Sequence, residues 1–84
     1  MGQRPYAVST IALKAGPGAW AAHHPYPQRT PVLRLVFPGL QVLVSTTSGD
    51  QVTRADLDFA ACLAEQAAAF AAALEQQFNE RASA

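Results

Sequence analysis

The chain has 84 residues, with six basic and six acidic side chains and a single cysteine. A chain of this length forms one small domain with a thin core, and a lone Cys62 excludes an intrachain disulfide as a stabilising element. The balanced charge argues against nucleic acid as the main partner, because such partners are bound through basic patches that neutralise phosphates. We therefore predict a single domain over residues 1–84 that gains stability from a second protein chain.

No run of residues approaches the roughly 20 continuous apolar positions of a membrane span. The first residues also lack the basic and then apolar pattern of a signal peptide. We therefore expect a cytoplasmic protein without a membrane partner. The high alanine content and the preference for arginine over lysine favour a bacterial origin.

The first predicted element is a strand over residues 6–13, where apolar side chains alternate between two faces. Residues 16–31 come next and combine glycine, proline and aromatic side chains. The sequence Gly16-Pro17-Gly18 and the prolines that follow it exclude a long regular element. We expect an irregular loop over 16–31, and loops of this length in compact domains are commonly functional or mobile.

Two further strands are predicted over residues 32–37 and 40–46, which are rich in valine and leucine. Pro38-Gly39 lies between them and has the residue types of a type II turn. Alternation along the first of these strands places an apolar set on one face: Leu33, Leu35 and Phe37. Together with the strand over 6–13, the pattern predicts an antiparallel sheet of about three strands.

The last element is a long amphipathic helix over residues 54–81, rich in alanine, leucine, glutamate and glutamine. Thr53 is the predicted N-cap, and Asp56 three residues later completes a variant of the capping box. On a helical wheel the large apolar side chains form one stripe: Phe59, Leu63, Phe70, Leu74 and Phe78. We predict an α+β fold in which this helix packs on one face of the sheet.

The predicted helix is longer than the sheet that it would cover. About 28 helical residues span roughly 42 Å, whereas a seven-residue strand spans roughly 23 Å. Part of the apolar stripe therefore extends beyond the sheet, and we predict that a second copy of the chain covers Phe70, Leu74 and Phe78. The alternative is that the 16–31 loop folds back and covers them within one chain.

Few side chains suggest a chemical site. His23 and His24 are adjacent, so their side chains diverge, and zinc needs three or four convergent ligands. Cys62 lies in the middle of the helix without a predicted activating neighbour, which favours packing over catalysis. Arg34 lies between leucines on a strand, where it faces either solvent or an acidic group across an interface. We predict no catalytic residue, no metal site and no cofactor.

The leading functional hypothesis is a non-catalytic protein-interaction module, a small homodimeric adaptor or regulatory protein. Aromatic side chains are enriched at protein interfaces, which gives a predicted binding set: Trp20, His23, His24, Tyr26, Arg29 and Arg34. One alternative is an enzymatic or small-molecule-binding subunit with a pocket lined by the Trp20–Tyr26 segment and both histidines. Another is a dimeric regulator that contacts DNA.

Overall fold

The computed structural model describes residues 9–83, which form a three-stranded antiparallel sheet followed by one long helix. The strands are β1 (Trp20–His24), β2 (Val32–Phe37) and β3 (Leu40–Val44), and their order in the sheet is β1-β2-β3. The helix α1 spans Arg54–Ser83. The predicted α+β fold, a small antiparallel sheet with one long C-terminal helix, is confirmed.

The first strand lies later in the chain than the alternation predicts. Residues 9–13 of the predicted strand are not in a strand, and residues 6–8 lie outside the described part of the chain. Strand β1 instead falls within the 16–31 segment, whose composition predicts an irregular loop. Both predictions are therefore corrected: the segment over 9–13 has no regular structure, and 16–31 contains an edge strand.

Local chemistry explains the position of β1. The Ala19 N–H donates a hydrogen bond to the Gly16 carbonyl at 3.1 Å, and Gly18 has a φ of 90°, so the chain turns just before the strand. The residues between Gly18 and Pro25 include no proline, so their backbone is free to pair with β2. The composition of the whole 16–31 segment conceals this proline-free stretch, because the prolines on both sides of the stretch dominate the average.

Pro38-Gly39 connects β2 to β3 through only two residues, since Phe37 pairs directly with Leu40. Gly39 has a φ of 81°, the positive value that a type II turn requires at its second central position. The predicted turn residues are therefore those that the hairpin uses. Strand β3 ends at Val44, and just beyond it the Thr46 side chain takes part in loop hydrogen bonds.

The antiparallel register assigns each strand residue to one of two faces, because directly paired side chains point to the same side. The apolar sheet face contains Leu33, Leu35, Phe37, Leu40, Val42 and Val44, with Ala21 and His23 at its β1 edge. The mixed sheet face contains Trp20, Ala22, His24, Val32, Arg34, Val36, Gln41 and Leu43. Across residues 9–82, whose side-chain exposure is described, no residue is buried.

Helix α1 does not cover either face of the sheet within its own chain. None of its residues comes within 8 Å, Cα to Cα, of a residue in β1, β2 or β3. Its 30 residues span roughly 45 Å, and the chain is correspondingly elongated, with extents of 50 × 37 × 23 Å. The predicted packing of the helix on one face of the sheet is therefore not present within a single chain.

The direction of the helix is set at its first turn by the carboxylate of Asp56. Thr53 and Asp56 cap each other: the Asp56 N–H donates to Thr53 Oγ1 at 3.2 Å, and the Thr53 N–H donates to Asp56 Oδ2 at 2.9 Å. The second oxygen, Asp56 Oδ1, accepts hydrogen bonds from the backbone N–H and the hydroxyl of Thr47, at 3.0 and 2.9 Å. One side chain thus ties the start of α1 to the segment that follows β3.

A second set of hydrogen bonds ties that segment to the connection between β1 and β2. The Thr30 N–H donates to the Gly49 carbonyl at 3.2 Å, and the Thr30 and Thr46 hydroxyls are hydrogen-bonded at 2.7 Å. We call residues 46–56, with Thr30, the junction. These hydrogen bonds connect the first turn of α1 to the loops at the end of the sheet.

The junction predicts an acid-dependent loss of stability. The pKa of the Asp56 carboxyl is lowered from 3.8 to about 2. The main cause is the hydrogen bond from the Thr53 N–H. Desolvation opposes the shift, and the two Thr47 donors lower the pKa further. Because the folded pKa lies below the unfolded one, the stabilisation is complete above pH 3.8 and is lost as the pH falls through about 2.

Asp56→Asn is the matched variant, because asparagine keeps an acceptor oxygen and does not titrate. Thermal unfolding followed by circular dichroism, in steps from pH 5 to pH 2, should show a steeper loss of stability for the wild type. Thr53→Ala should lower the free energy of unfolding by about 1 kcal/mol at neutral pH through loss of the cap. Identical acid profiles for the wild type and Asp56→Asn would contradict the role assigned to the carboxylate.

Candidate interaction surface

The mixed sheet face carries an arginine stacked beside a tryptophan. The guanidinium carbon of Arg34, on the central strand, lies 6.0 Å from the centroid of the Trp20 ring on β1. This distance is within the range of a cation–π contact, which restrains both side chains. The Trp20 side chain nevertheless remains 51% exposed, so the pair offers an open aromatic and cationic surface.

His24 extends this surface along β1. It pairs with Val32 and lies diagonally across from Arg34, on the same face of the sheet. His24 Nε2 and Arg34 Nε are sealed from solvent, and neither has a hydrogen-bond partner among the described residues. A buried donor without an acceptor costs about 1–3 kcal/mol. The Arg34 Nε–H is therefore a donor without an acceptor among the described residues, whereas His24 Nε2 donates or accepts according to which ring nitrogen carries the proton.

Tyr26 and Arg29 continue the row beyond the end of β1. The rings of His24 and Tyr26 are 6.1 Å apart, and the Arg29 guanidinium carbon lies 6.0 Å from the Tyr26 centroid. An open cleft of about 360 Å³ borders Tyr26, Arg29, Thr30 and the first residues after β3. The result is one row of alternating aromatic and basic groups, which we call the aromatic–cation row: Trp20, Arg34, His24, Tyr26 and Arg29.

The row contains every predicted binding residue except His23. That side chain pairs with Leu33 and lies on the apolar sheet face, so the two adjacent histidines are on opposite sides of the sheet. A pocket lined by both is therefore not formed in the chain. Within residues 9–83, no three histidine, cysteine or acidic side chains come together as metal ligands. The exposed Cys62 lies on α1, away from the row.

The predicted dimer residues are open to solvent. Phe70, Leu74 and Phe78 are 66%, 51% and 74% exposed. The alternative in which the 16–31 loop folds back over them is wrong for the isolated chain, since part of that segment forms an edge strand of the sheet. Phe59, one turn into the helix, is also exposed. Four of the five side chains of the apolar stripe are thus exposed, and Leu63 is half-buried.

The apolar stripe contains a sequence repeat that a helical wheel does not reveal. The segment FAACLAEQ at residues 59–66 recurs as FAAALEQQ at residues 70–77, so phenylalanine and leucine reappear 11 residues later. An 11-residue period is about 3.67 residues per turn, which keeps the repeated side chains on one face of a nearly straight helix. The repeat places two similar apolar patches along α1.

Charge is divided between the two halves of the chain, although the whole chain is neutral. Residues 1–49 contain four basic side chains and no acidic one, which gives a charge of +4. Residues 50–84 contain two arginines and all six acidic side chains, which gives 2 − 6 = −4. The sheet half is therefore basic and the helix half acidic. A count over the whole chain conceals this division, whereas a count by segment would have found it.

Helix α1 also has the length and the apolar content of a membrane-crossing helix over Arg54–Ala82. One such helix is weak support for a membrane protein, because core helices of soluble proteins have the same composition. The lack of a long uninterrupted apolar run in the sequence predicts the opposite, namely that no segment spans a membrane. Asp58, Glu65 and Gln66 interrupt the runs, while the many alanines keep the average apolar content high.

No protein-family model, curated protein or solved structure matches the chain. The chemistry of the mixed sheet face and of α1 therefore has to be inferred from their own residues.

The unpaired Arg34 nitrogen gives a testable expectation for the isolated protein. Arg34→Leu removes a donor without an acceptor and adds apolar area, so the free energy of unfolding should rise by about 1 kcal/mol. Trp20 is the only tryptophan, so its emission should change when the neighbouring cation is lost. Urea unfolding followed by this fluorescence measures both effects.

Arg54→Leu is the control, because Arg54 lies exposed on the helix and its only described ion pair is with Asp58. That variant should leave both the stability and the Trp20 emission nearly unchanged. If Arg34→Leu lowers the free energy of unfolding, Arg34 has a stabilising structural role and the mixed face is not a surface held ready for a partner.

Proposed function

We propose that the protein is a cytoplasmic, non-catalytic protein-interaction module that functions as a homodimer. The observation that carries this proposal is the lack of any buried residue across residues 9–82. A folded domain depends on burial of apolar surface for its stability. A chain with half of its residues hydrophobic and none of those described buried requires a partner to supply a core.

The exposed area supports association on the scale of a stable dimer. The chain exposes 7384 Å², whereas a compact protein of 8.9 kDa exposes roughly 4,800 Å². The excess of about 2,600 Å² is roughly three times the 800 Å² that each partner buries in a standard interface. This excess exposed area is still large enough for an interface when part of it is assigned to the chain termini.

The apolar stripe of α1 is the strongest candidate for the dimer contact. Burying one phenylalanine or leucine side chain contributes about 1.5–3 kcal/mol, and small domains are stable by only about 5–15 kcal/mol in total. Phe59, Phe70 and Leu74 alone therefore account for much of the stability of such a domain. The alanines between them allow another chain to approach the helix closely.

A lipid bilayer is a less favourable cover for the same stripe. Glu65 lies near the middle of α1, with Gln66 beside it and Asp58 two turns earlier. A charged side chain at the centre of a membrane helix costs roughly 2.5–3.5 kcal/mol. In a dimer Asp58 and Glu65 stay in water, because they lie on the side of the helix opposite the stripe. The proposal therefore assigns the stripe to a protein surface.

The aromatic–cation row is the proposed surface for a further protein partner. It lies on the mixed sheet face and not on the helix, so dimer contacts through the stripe leave it open. Its Arg34 Nε–H, which has no acceptor among the described residues, favours a partner that presents a hydrogen-bond acceptor. Exposed aromatic and arginine side chains are the groups that dominate binding energy at interfaces.

The two other functions considered from the sequence have less support. A small-molecule pocket lined by both histidines conflicts with the placement of His23 on the opposite face. A DNA-associated regulator would rely on basic groups, but the helix half of the chain carries −4 and would repel phosphates. Neither proposal accounts for the exposed stripe of α1.

Light scattering at micromolar protein tests the dimer. The wild type should have twice the mass of the 8.9 kDa chain. Phe70→Glu should weaken the dimer by at least about tenfold, because burying one phenylalanine is worth more than 1.4 kcal/mol. Ala72→Glu adds the same charge on the opposite side of the helix and should leave the mass unchanged.

A wild-type mass of 8.9 kDa would exclude the dimer. Equal weakening by Phe70→Glu and Ala72→Glu would show that the stripe is not the contact. Sedimentation with neutral lipid vesicles completes the test, since a chain that is monomeric in buffer and binds vesicles through Phe70 would assign the stripe to a membrane.

A further inference from the structure

We propose that in the dimer the C-terminal half of each α1 lies across the apolar sheet face of the other copy. This inference rests on the proposed homodimer and specifies its architecture. It concerns two uncovered apolar surfaces of one chain: the apolar sheet face and the stripe of α1. The occupant of the sheet face is the helix of the second copy.

The apolar sheet face requires a cover. It presents Leu33, Leu35, Phe37, Val42 and Val44, each half-buried, and Leu40, which is exposed. A sheet of three short strands is stable only when its apolar face packs on another layer, and in an α+β domain that layer is helical. The only helix of the described chain makes no contact with the sheet. The layer must therefore come from another molecule.

The junction explains why the chain does not cover its own sheet. Asp56 binds Thr53 and Thr47 at the same time, and Thr30 binds Gly49. These bonds fix the chain on both sides of the turn between β3 and α1. Folding α1 back onto its own sheet would require breaking them, whereas docking on a second copy leaves them intact.

The distribution of charge distinguishes two possible dimers. It favours the one in which each helix lies on the sheet of the other copy over one held together by the two helices alone. Two helix halves of −4 each would repel if they alone formed the contact. When the helix half of one copy lies beside the sheet half of the other, its acidic side chains approach a half of the chain that carries no acidic side chain, and this occurs twice in a symmetric dimer. The repulsion between two acidic helix halves is thus avoided, while Arg29 and Arg34 stay in the aromatic–cation row outside the contact.

Length determines which part of the helix docks. A six-residue strand spans roughly 20 Å, less than half of the roughly 45 Å of α1. The junction holds the first turn of α1 beside its own sheet, so the sheet of the second copy is reached by the later turns. The second half of the repeat, Phe70 and Leu74, therefore lies on the partner sheet, and Phe59 and Leu63 lie where the two helices cross.

Disulfide trapping between single-cysteine chains tests this arrangement. One chain carries Leu35→Cys and the other Leu74→Cys, each in a Cys62→Ala background that removes the native thiol. The chains are mixed, allowed to exchange and oxidised. We expect a mixed disulfide dimer as the main product, because Leu35 lies centrally on the apolar sheet face and Leu74 on the stripe. Each chain oxidised alone should remain largely uncrosslinked.

Two controls separate specific contact from random collision. Ala72→Cys in place of Leu74→Cys lies on the opposite side of the helix, and its yield should be lower by about tenfold, since a disulfide needs Cβ atoms within roughly 4.5 Å. Val42→Cys replaces Leu35→Cys as a milder change on the same face, in case the leucine variant fails to fold. Circular dichroism and light scattering confirm folding and mass before oxidation.

Three outcomes would overturn the inference. An intrachain disulfide in a chain that carries both cysteines would show that the helix covers its own sheet. A Leu74→Cys homodisulfide without any mixed product, in a protein of dimer mass, would show that the helices alone form the interface and would leave the dimer standing. A wild-type protein of monomer mass would remove the dimer and the inference together.

Discussion

The carboxylate of Asp56 is the interaction on which the arrangement of the chain depends. It completes the helix cap with Thr53 and, through Thr47, ties the first turn of α1 to the segment after β3. Because this junction directs the helix away from the sheet, the sheet and the helix stripe are both left without cover. The second chain that we propose would cover these two surfaces.

The two faces of the sheet have different roles in this account. In the proposed dimer, the apolar face and the stripe of α1 form the surface that a second copy covers. The mixed face would keep the aromatic–cation row open to solvent in that dimer. Arg34 contributes a donor there that has no acceptor among the described residues. A single small sheet can thus support assembly on one side and recognition on the other.

The features that the sequence predicts correctly are those set by local backbone chemistry. The capping residues Thr53 and Asp56 and the turn glycine Gly39 are specified by backbone chemistry within four residues, and the structure contains them as predicted. The helix follows from a long run without glycine or proline. Reasoning failed for β1, because an edge strand of five residues is defined by pairing with β2, and its own alternation is too short to stand out from the surrounding prolines.

The sequence by itself determined the elements that depend on neighbours in the chain: the helix and its cap, the hairpin and its turn, and the apolar stripe. Only the tertiary structure decided which residues share a face, since strand pairing places His24 beside Arg34 and sends His23 to the opposite side. It also showed that α1 does not approach the strands, and that its first turn is tied to the loop after β3 by hydrogen bonds from Thr47, nine residues away from Asp56. Local patterns specify which surfaces are apolar, whereas the path of the chain between elements specifies whether those surfaces can meet.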